Sequence, residues 1–376
     1  MAYAPKLSIA ELETKVKTIL DKTNISVANY EATKNAVVNL VNKIGLIFTN
    51  EQDYKDKLAI FDRETMRFGS TIEEYQYDVQ LPMNYSSVSE IEDYKSHYPT
   101  QRPCTYSEPI EDQIFAVSRS FKELQKAVNN EEQFARLVVG IQQSLENSIR
   151  TFKYGLKRNL IGKLIKYCTD AMSNSNAQLW AAGTARATGV YVKDAATATK
   201  YGVVVKDYPA SANLAWAAAV AAGYIIELDL IKVIDKPTDT ESGEKFIAQL
   251  KGDVEVASDI SEGHSLNGNT LGASDTVLLV KQGVQNIVEV YVQAGSFNGE
   301  KVAFPAEVIV VPDFGKDADS NTFAVLTDKR TIALFPTFEY RGQAENVSLG
   351  FINYIAHYEA TPVISKNTFV KVYKSA

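Results

Sequence analysis

Two cysteines, three histidines and eleven prolines in 376 residues leave little material for several kinds of chemistry. Cys104 and Cys168 are too few for a disulfide framework and belong to no Cys-x-x-Cys pair, so a reducing compartment is expected. His97, His264 and His357 lie far apart, without metal-ligand spacing. The chain has no glycine-rich phosphate loop of the Walker or dinucleotide type and no Gly-x-Ser-x-Gly elbow. Without a convergent nucleophile, base or metal set, the expectation is a protein that is not an enzyme and takes no cofactor or metal. No apolar run approaches the ~18 residues of a membrane span. The N-terminal segment "MAYAPKLSIAELETKVKTIL" lacks the basic head and apolar run of a secretory leader.

What is present is ordinary in bulk. Hydrophobic residues make up 45% and charged residues 23%, the balance of a folded chain long enough to bury a sizeable core. A net charge of −7 argues against a surface that binds nucleic acid as a whole, though a local basic patch stays possible. Two short motifs are lookalikes. "DFG" at Asp313–Gly315 has no His-Arg-Asp loop or glycine-rich loop before it and reads as a turn after the strand "VIVV". "DADSN" at Asp317–Asn321 begins like a calcium loop, but Thr322 stands where glycine is needed and Asp328 where a bidentate glutamate is needed. That segment reads as a turn between strands.

Along the chain, residues 8–20 and 31–47 read as amphipathic helices, the second with Val37, Val38, Leu40, Val41, Ile44 and Leu46 on one stripe. In "FGSTIEEYQYDVQLP", Tyr75, Tyr77, Val79 and Leu81 alternate with Glu74, Gln76, Asp78 and Gln80, a period of two that predicts a strand. Residues 83–111 show no period, carry three prolines and keep Tyr85, Tyr94, Tyr98 and Tyr106, which favours an ordered arm over a disordered one. A strand "QIFAVSRSF" follows. From Glu131 to about Met172 apolar residues recur in steps of three or four, from Phe134 through Leu145, Ile149 and Leu156 to Cys168. That predicts one helix of unusual length, a spine on the order of 60 Å at ~1.5 Å per residue. Beyond it come an alanine-rich helix at 210–223, strands in "YIIELDLIKVID" and "TVLLVK", a helix at 285–294, and strands in "AEVIVVPDF", "TFAVLTDKRTIALFP" and "GFINYIAHYEATPVISKNTFVKVY".

Two features invite a partner. The ribbon has an aromatic face and an acidic face; it either folds back on its own domain or lies across a neighbouring copy, where aromatics suit an interface. The spine helix is acidic first and basic later, with Arg150, Lys153, Lys157, Arg158, Lys163 and Lys166 following Glu131, Glu132 and Glu146. Complementing the helix dipole with solvated ends is one reading; a basic strip facing a polyanion or an acidic neighbour is the other.

The order of ribbon, spine helix, mixed α/β body and late strand pair resembles the major capsid proteins of tailed bacteriophages with the Hong Kong 97 fold. The nearest likeness is to the shell proteins of small short-tailed phages, podoviruses of the Picovirinae type. "GSTIEEYQYDV" resembles their extended-loop strand, "QFARLVVGIQQSLENSIRTFKYGLKRNLIGKLI" their spine helix, and "VLLVKQGVQNIVEVYVQAGSF…AEVIVVPDF…FAVLTDKRTIALF" their strand–helix–strand–strand run. The resemblance implies an α+β chain divided into an N-terminal helical arm (1–50), an extended-loop ribbon and arm (51–111), a peripheral domain with the spine helix (112–180), an axial α/β domain (181–335) and C-terminal strands returning to the peripheral domain (336–376). It implies self-assembly into hexamers and pentamers of an icosahedral shell, in the virion and formed in the host cytoplasm, around double-stranded DNA held by loose contact. Implied partners are a scaffolding protein, a portal and head-decoration or head-fibre proteins. On this reading Tyr75, Tyr77 and Val79 are covered by a neighbour's spine region, and Glu73, Glu74 and Asp78 meet its Arg150, Lys153, Lys157 and Arg158. An encapsulin-like compartment shell or a tail or connector component are the alternatives. The resemblance assigns no crosslinking pair, although Lys55 and Lys57 lie near the loop.

Overall fold

The structure is a computed structural model that describes residues 56–65, 72–77, 101–106, 110–120, 131–258, 275–286, 306–346 and 348–375. The expected helices at 8–20 and 31–47, and nearly all of the one at 285–294, lie outside the described residues. The chain forms two compact units. The described residues of 1–68, 110–157 and 334–362 make the first, and those of 69–109, 158–333 and 363–376 the second.

The spine helix α1 runs Glu131–Ala171, 41 residues in all. In the first unit its Leu145, Ile149 and Leu156 are buried. A three-stranded sheet stands beside them in the order β12 (Ile332–Asn346), β13 (Phe351–Ile364), β3 (Glu111–Ser120), with β13 antiparallel to β3. Along β13 the buried residues Ile352, Tyr354, Ala356, Tyr358 and Ala360 alternate with half-exposed ones, as a sheet with one covered face requires. Phe152 of α1 meets Phe115 and Tyr358 edge-to-face at 5.6 and 6.3 Å, which identifies the helix as the cover.

The second unit holds a five-stranded sheet in the order β10 (Glu307–Val311), β9 (Thr276–Lys281), β11 (Thr322–Asp328), β14 (Val370–Lys374), β8 (Ile231–Val233). Its two outer pairs are parallel and its inner pairs antiparallel. Helix α3 (Thr240–Ser258) lays Phe246, Ile247, Leu250 and Ala257 on Leu278, Val280, Phe323, Leu326, Phe369 and Tyr373. A smaller four-stranded sheet, β4 (Gln178–Leu179), β5 (Tyr191–Lys193), β6 (Tyr201–Val204) and β7 (Ile225–Leu228), gathers Trp180, Tyr208 and Ile225 around Ala219 of α2 (Trp216–Ala221). The alanine-rich stretch is helical for less of its length than expected, and Gly223 takes up φ +71° just past the helix end.

The two lookalike motifs are turns, and one has a packing role. Gly315 adopts φ +84°, and a Cβ there would stand 2.9 Å from the Arg158 carbonyl oxygen of α1. A Cβ on Gly162 of α1 would stand 2.5 Å from the Phe314 carbonyl oxygen. Glycine on both sides lets the turn's backbone lie directly on the helix.

The ribbon is where the structure departs most from the expectation. β1 (Ile72–Tyr77) pairs antiparallel with β2 (Gln101–Tyr106), from Ile72 opposite Tyr106 to Tyr77 opposite Gln101. β2 lies inside the stretch expected to be irregular. Its Pro103 has no N–H to give a ladder, which a two-stranded ribbon tolerates because one side of each strand is an edge.

Candidate functional site

The alternation of β1 sorts its side chains. Glu73 and Tyr75 are exposed, Tyr75 at 52%, whereas Ile72 and Glu74 are half-buried. The Tyr75 hydroxyl donates to Glu73 Oε2 at 2.6 Å, so these two share the outward side. Glu74 faces its own unit, where Ser365 Oγ donates to both carboxylate oxygens at 2.9 and 3.2 Å. Tyr77 closes β1 opposite Gln101, and Asp78 and Val79 lie outside the described residues.

The basic residues of α1 do not behave as one strip. Its last turn carries no basic residue, so the helix dipole does not account for the basic half either. Individual partners do. Lys157 is wholly buried, and its Nζ donates to Asp56 and, at 2.9 Å, to Asp62, all within the first unit. Lys157 is therefore engaged inside its own subunit and is withdrawn from the set that could meet a neighbour's acid. Arg158 lies 3.2 Å from Asp313 in the second unit, at 30% side-chain exposure. Lys166 pairs with Asp170 one turn on at 2.9 Å. Arg150 is half-exposed, and Lys153 sits 4.6 Å above the Tyr358 ring, an aromatic perch for a cation.

Sequence reading missed the pairings of Lys157 and Arg158 because Asp56, Asp62 and Asp313 are far from them along the chain. The same holds for the pairing of Arg341 with Glu146, while its second partner, Glu339 at 2.8 Å, is two residues away. It also holds for Lys371, whose Nζ meets Asp229 Oδ2 at 2.6 Å, and for Tyr373, whose hydroxyl donates to Asp253 Oδ2 at 2.7 Å. A buried lysine inside an amphipathic stripe is visible only once the stripe's exact phase is known.

Among the described residues no three His, Cys, Asp or Glu side chains cluster to hold a metal. Burial pushes the Cys168 thiol up to about 12, which keeps it protonated and unreactive. Among the described residues no helix is long and apolar enough to cross a membrane.

The comparisons with known proteins agree with this picture. The family described as Phi29-like phage major capsid protein matches residues 5–207 and 269–370. No curated protein matches the chain. Among solved structures, the capsid of Staphylococcus phage Andhra is similar with a TM-score of 0.55 at 10% identity, over 87% of this chain and 86% of that one. The mature capsid of bacteriophage PhiM1 follows with a TM-score of 0.48 at 11% identity, over 88% and 91%. The fold is that of the Hong Kong 97 type, and the readings as a cargo compartment or tail component give way to a structural protein of the virion shell. The matched segments take in the ribbon, the spine and most of the strands, and the chain belongs to the family of Phi29-like phage major capsid proteins.

Proposed function

We propose that this capsid protein closes into an icosahedral shell of hexamers and pentamers around packaged double-stranded DNA, in a small short-tailed phage of the Picovirinae type. The observation that carries the assembly reading is the ribbon. Two paired strands of six residues are marginal alone. Yet this ribbon keeps a tyrosine half out in water, and a second copy is the surface that would cover it. The outward side of Glu73 and Tyr75 is assigned to contact with a neighbour, together with Tyr77, Asp78 and Val79 further along the sequence. Arg150, Lys153 and Arg158 are the basic groups offered in return.

The five-part division into arm (1–50), extended loop (51–111), peripheral (112–180), axial (181–335) and returning C-terminal segments (336–376) is part of the proposal. So are assembly in the host cytoplasm, the absence of catalysis, and the partners: a scaffolding protein, a portal, and decoration or head-fibre proteins. A net charge of −7 supports loose contact with packaged DNA, since an acidic wall repels it. The test is negative-stain electron microscopy of the purified protein, alone and with its scaffold. Closed shells or rings of five and six are expected; open tubes under both conditions would refute the closed-shell reading.

A further inference from the structure

We infer that Glu74 is a positioning residue that locks the root of the β1–β2 ribbon onto two turns of its own subunit, the one after β11 and the one before β14. The turns are prepared for a carboxylate. Ser365 is buried, its N–H donates to the Thr331 carbonyl at 2.7 Å, and its Oγ takes a bond from the Asn367 N–H at 3.3 Å. The hydroxyl hydrogen is left to point at Glu74, and it does. Behind it, Thr327, Thr331 and Thr368 form a buried chain of hydroxyls at 2.7 Å steps that ties the two turns together.

A cation that feels the charge of Glu74 is held in place on the turn after β11. Arg330 is fixed on the buried carboxylate of Asp328 by Nε at 3.0 Å, by a terminal nitrogen at 2.7 Å and by its backbone N–H at 2.8 Å. Its guanidinium is raised above its ordinary value, by those Asp328 hydrogen bonds first and, further down, by the charge of Glu74. Burial follows the same division, with Glu74 half-buried between exposed Glu73 and Tyr75. One acid of the ribbon thus sets its angle and the next is left for contact. This role concerns one subunit and does not depend on the neighbour contact proposed above.

The experiment is hydrogen exchange read by mass spectrometry on unassembled full-length subunits. Glu74→Ala and Ser365→Ala are each expected to speed exchange of backbone amides in 72–77 and 365–369 by about ten-fold, the loss of one hydrogen bond to a charged group. The double variant should exchange no faster than either single one. Glu73→Ala, on the outward side, removes only the Tyr75 hydroxyl bond within the ribbon and should raise exchange far less than Glu74→Ala. Glu74→Gln, which keeps an acceptor for Ser365, should show a smaller rise than Glu74→Ala and guards against a variant that fails to fold. Unchanged exchange in Ser365→Ala, additive effects in the double variant, or an equal rise in Glu73→Ala would overturn the inference.

Discussion

Lys157 shows how far packing can override a residue's usual place. A lysine in a helix is a surface residue by default, yet this one is wholly buried against Asp56 and Asp62. Two carboxylates around one ammonium hold the described stretch 56–62 against the first unit's part of α1. Removing the lysine leaves both acids without their cation, so Lys157→Ala is expected to destabilise the subunit by about 3 kcal/mol. Adding Asp56→Asn and Asp62→Asn should restore part of that, and a denaturation cycle measures the coupling. A second prediction concerns acid. Burial would push the Asp229 carboxyl up, but the hydrogen bond and charge of Lys371 outweigh it and hold the group below its usual 3.8. Asp319 is lowered too, first by its hydrogen bond from Lys374. Both groups bind protons less tightly folded than unfolded, so their stabilisation is complete above 3.8 and is lost as pH falls through the lower folded values. Thermal melting should hold level down to about pH 5 and drop steeply below about pH 4. Asp229→Asn should flatten that acid limb while lowering the melting temperature at neutral pH; parallel limbs for the two proteins would count against the assignment.

Elements were legible in proportion to how strongly one period governed them. The spine was clear because steps of three and four persist over forty-odd residues, and its boundaries agree within a residue of the expected end. β2 was hidden because Pro103 and the charged Arg102 break any alternation in "QRPCTY". Helix α3 was overlooked although Phe246, Ile247, Leu250, Val254 and Ala257 carry a helical stripe, so that signal was available. Close approaches were beyond reach, because nothing in a sequence tells a glycine with room around it from one without. Gly155 and Gly162 of α1 make the contrast. A Cβ on Gly155 would have nothing within 4 Å, so Gly155→Ala should gain about 0.5–1 kcal/mol from helix propensity. At Gly162 the same gain is opposed by the Phe314 carbonyl oxygen 2.5 Å from the new methyl, backed by the Ala318 amide nitrogen at 3.3 Å. Backbone cannot swing aside as a side chain does, so Gly162→Ala should lose about 1–3 kcal/mol net. Urea midpoints of the two variants should move in opposite directions, and a shared sign would show that the turn yields more readily than its glycines imply.

For the subunit as a member of a shell, the division of labour along β1 matters most. A residue that orients the ribbon and a residue that touches a neighbour leave different traces, because the first acts before assembly and the second only during it. Tyr75 is 52% exposed with its hydroxyl on Glu73, so in the lone subunit about half of it faces water. Against a neighbour the same ring would be enclosed, and an aromatic anchor enclosed at an interface contributes about 2 kcal/mol or more. On the proposed contact every subunit would repeat it, so a modest loss at one site would be multiplied around a closed shell. Tyr75→Ala is therefore expected to fold normally, with unchanged circular dichroism and melting, and to assemble poorly, with shells replaced by free subunits or capsomers in light scattering and negative stain. Raising ionic strength should aid the variant no more than the parent, because the lost term is apolar burial, while salt screens the repulsion among copies that each carry −7 equally in both. Glu73→Lys should respond differently: on the proposed contact it would put a cation opposite Arg150 and Lys153 of a neighbour, a like-charge clash that added salt weakens. Normal shells from Tyr75→Ala would place the neighbour contact elsewhere on the subunit, and a Tyr75→Ala protein that melts early would mean the ring serves its own ribbon instead.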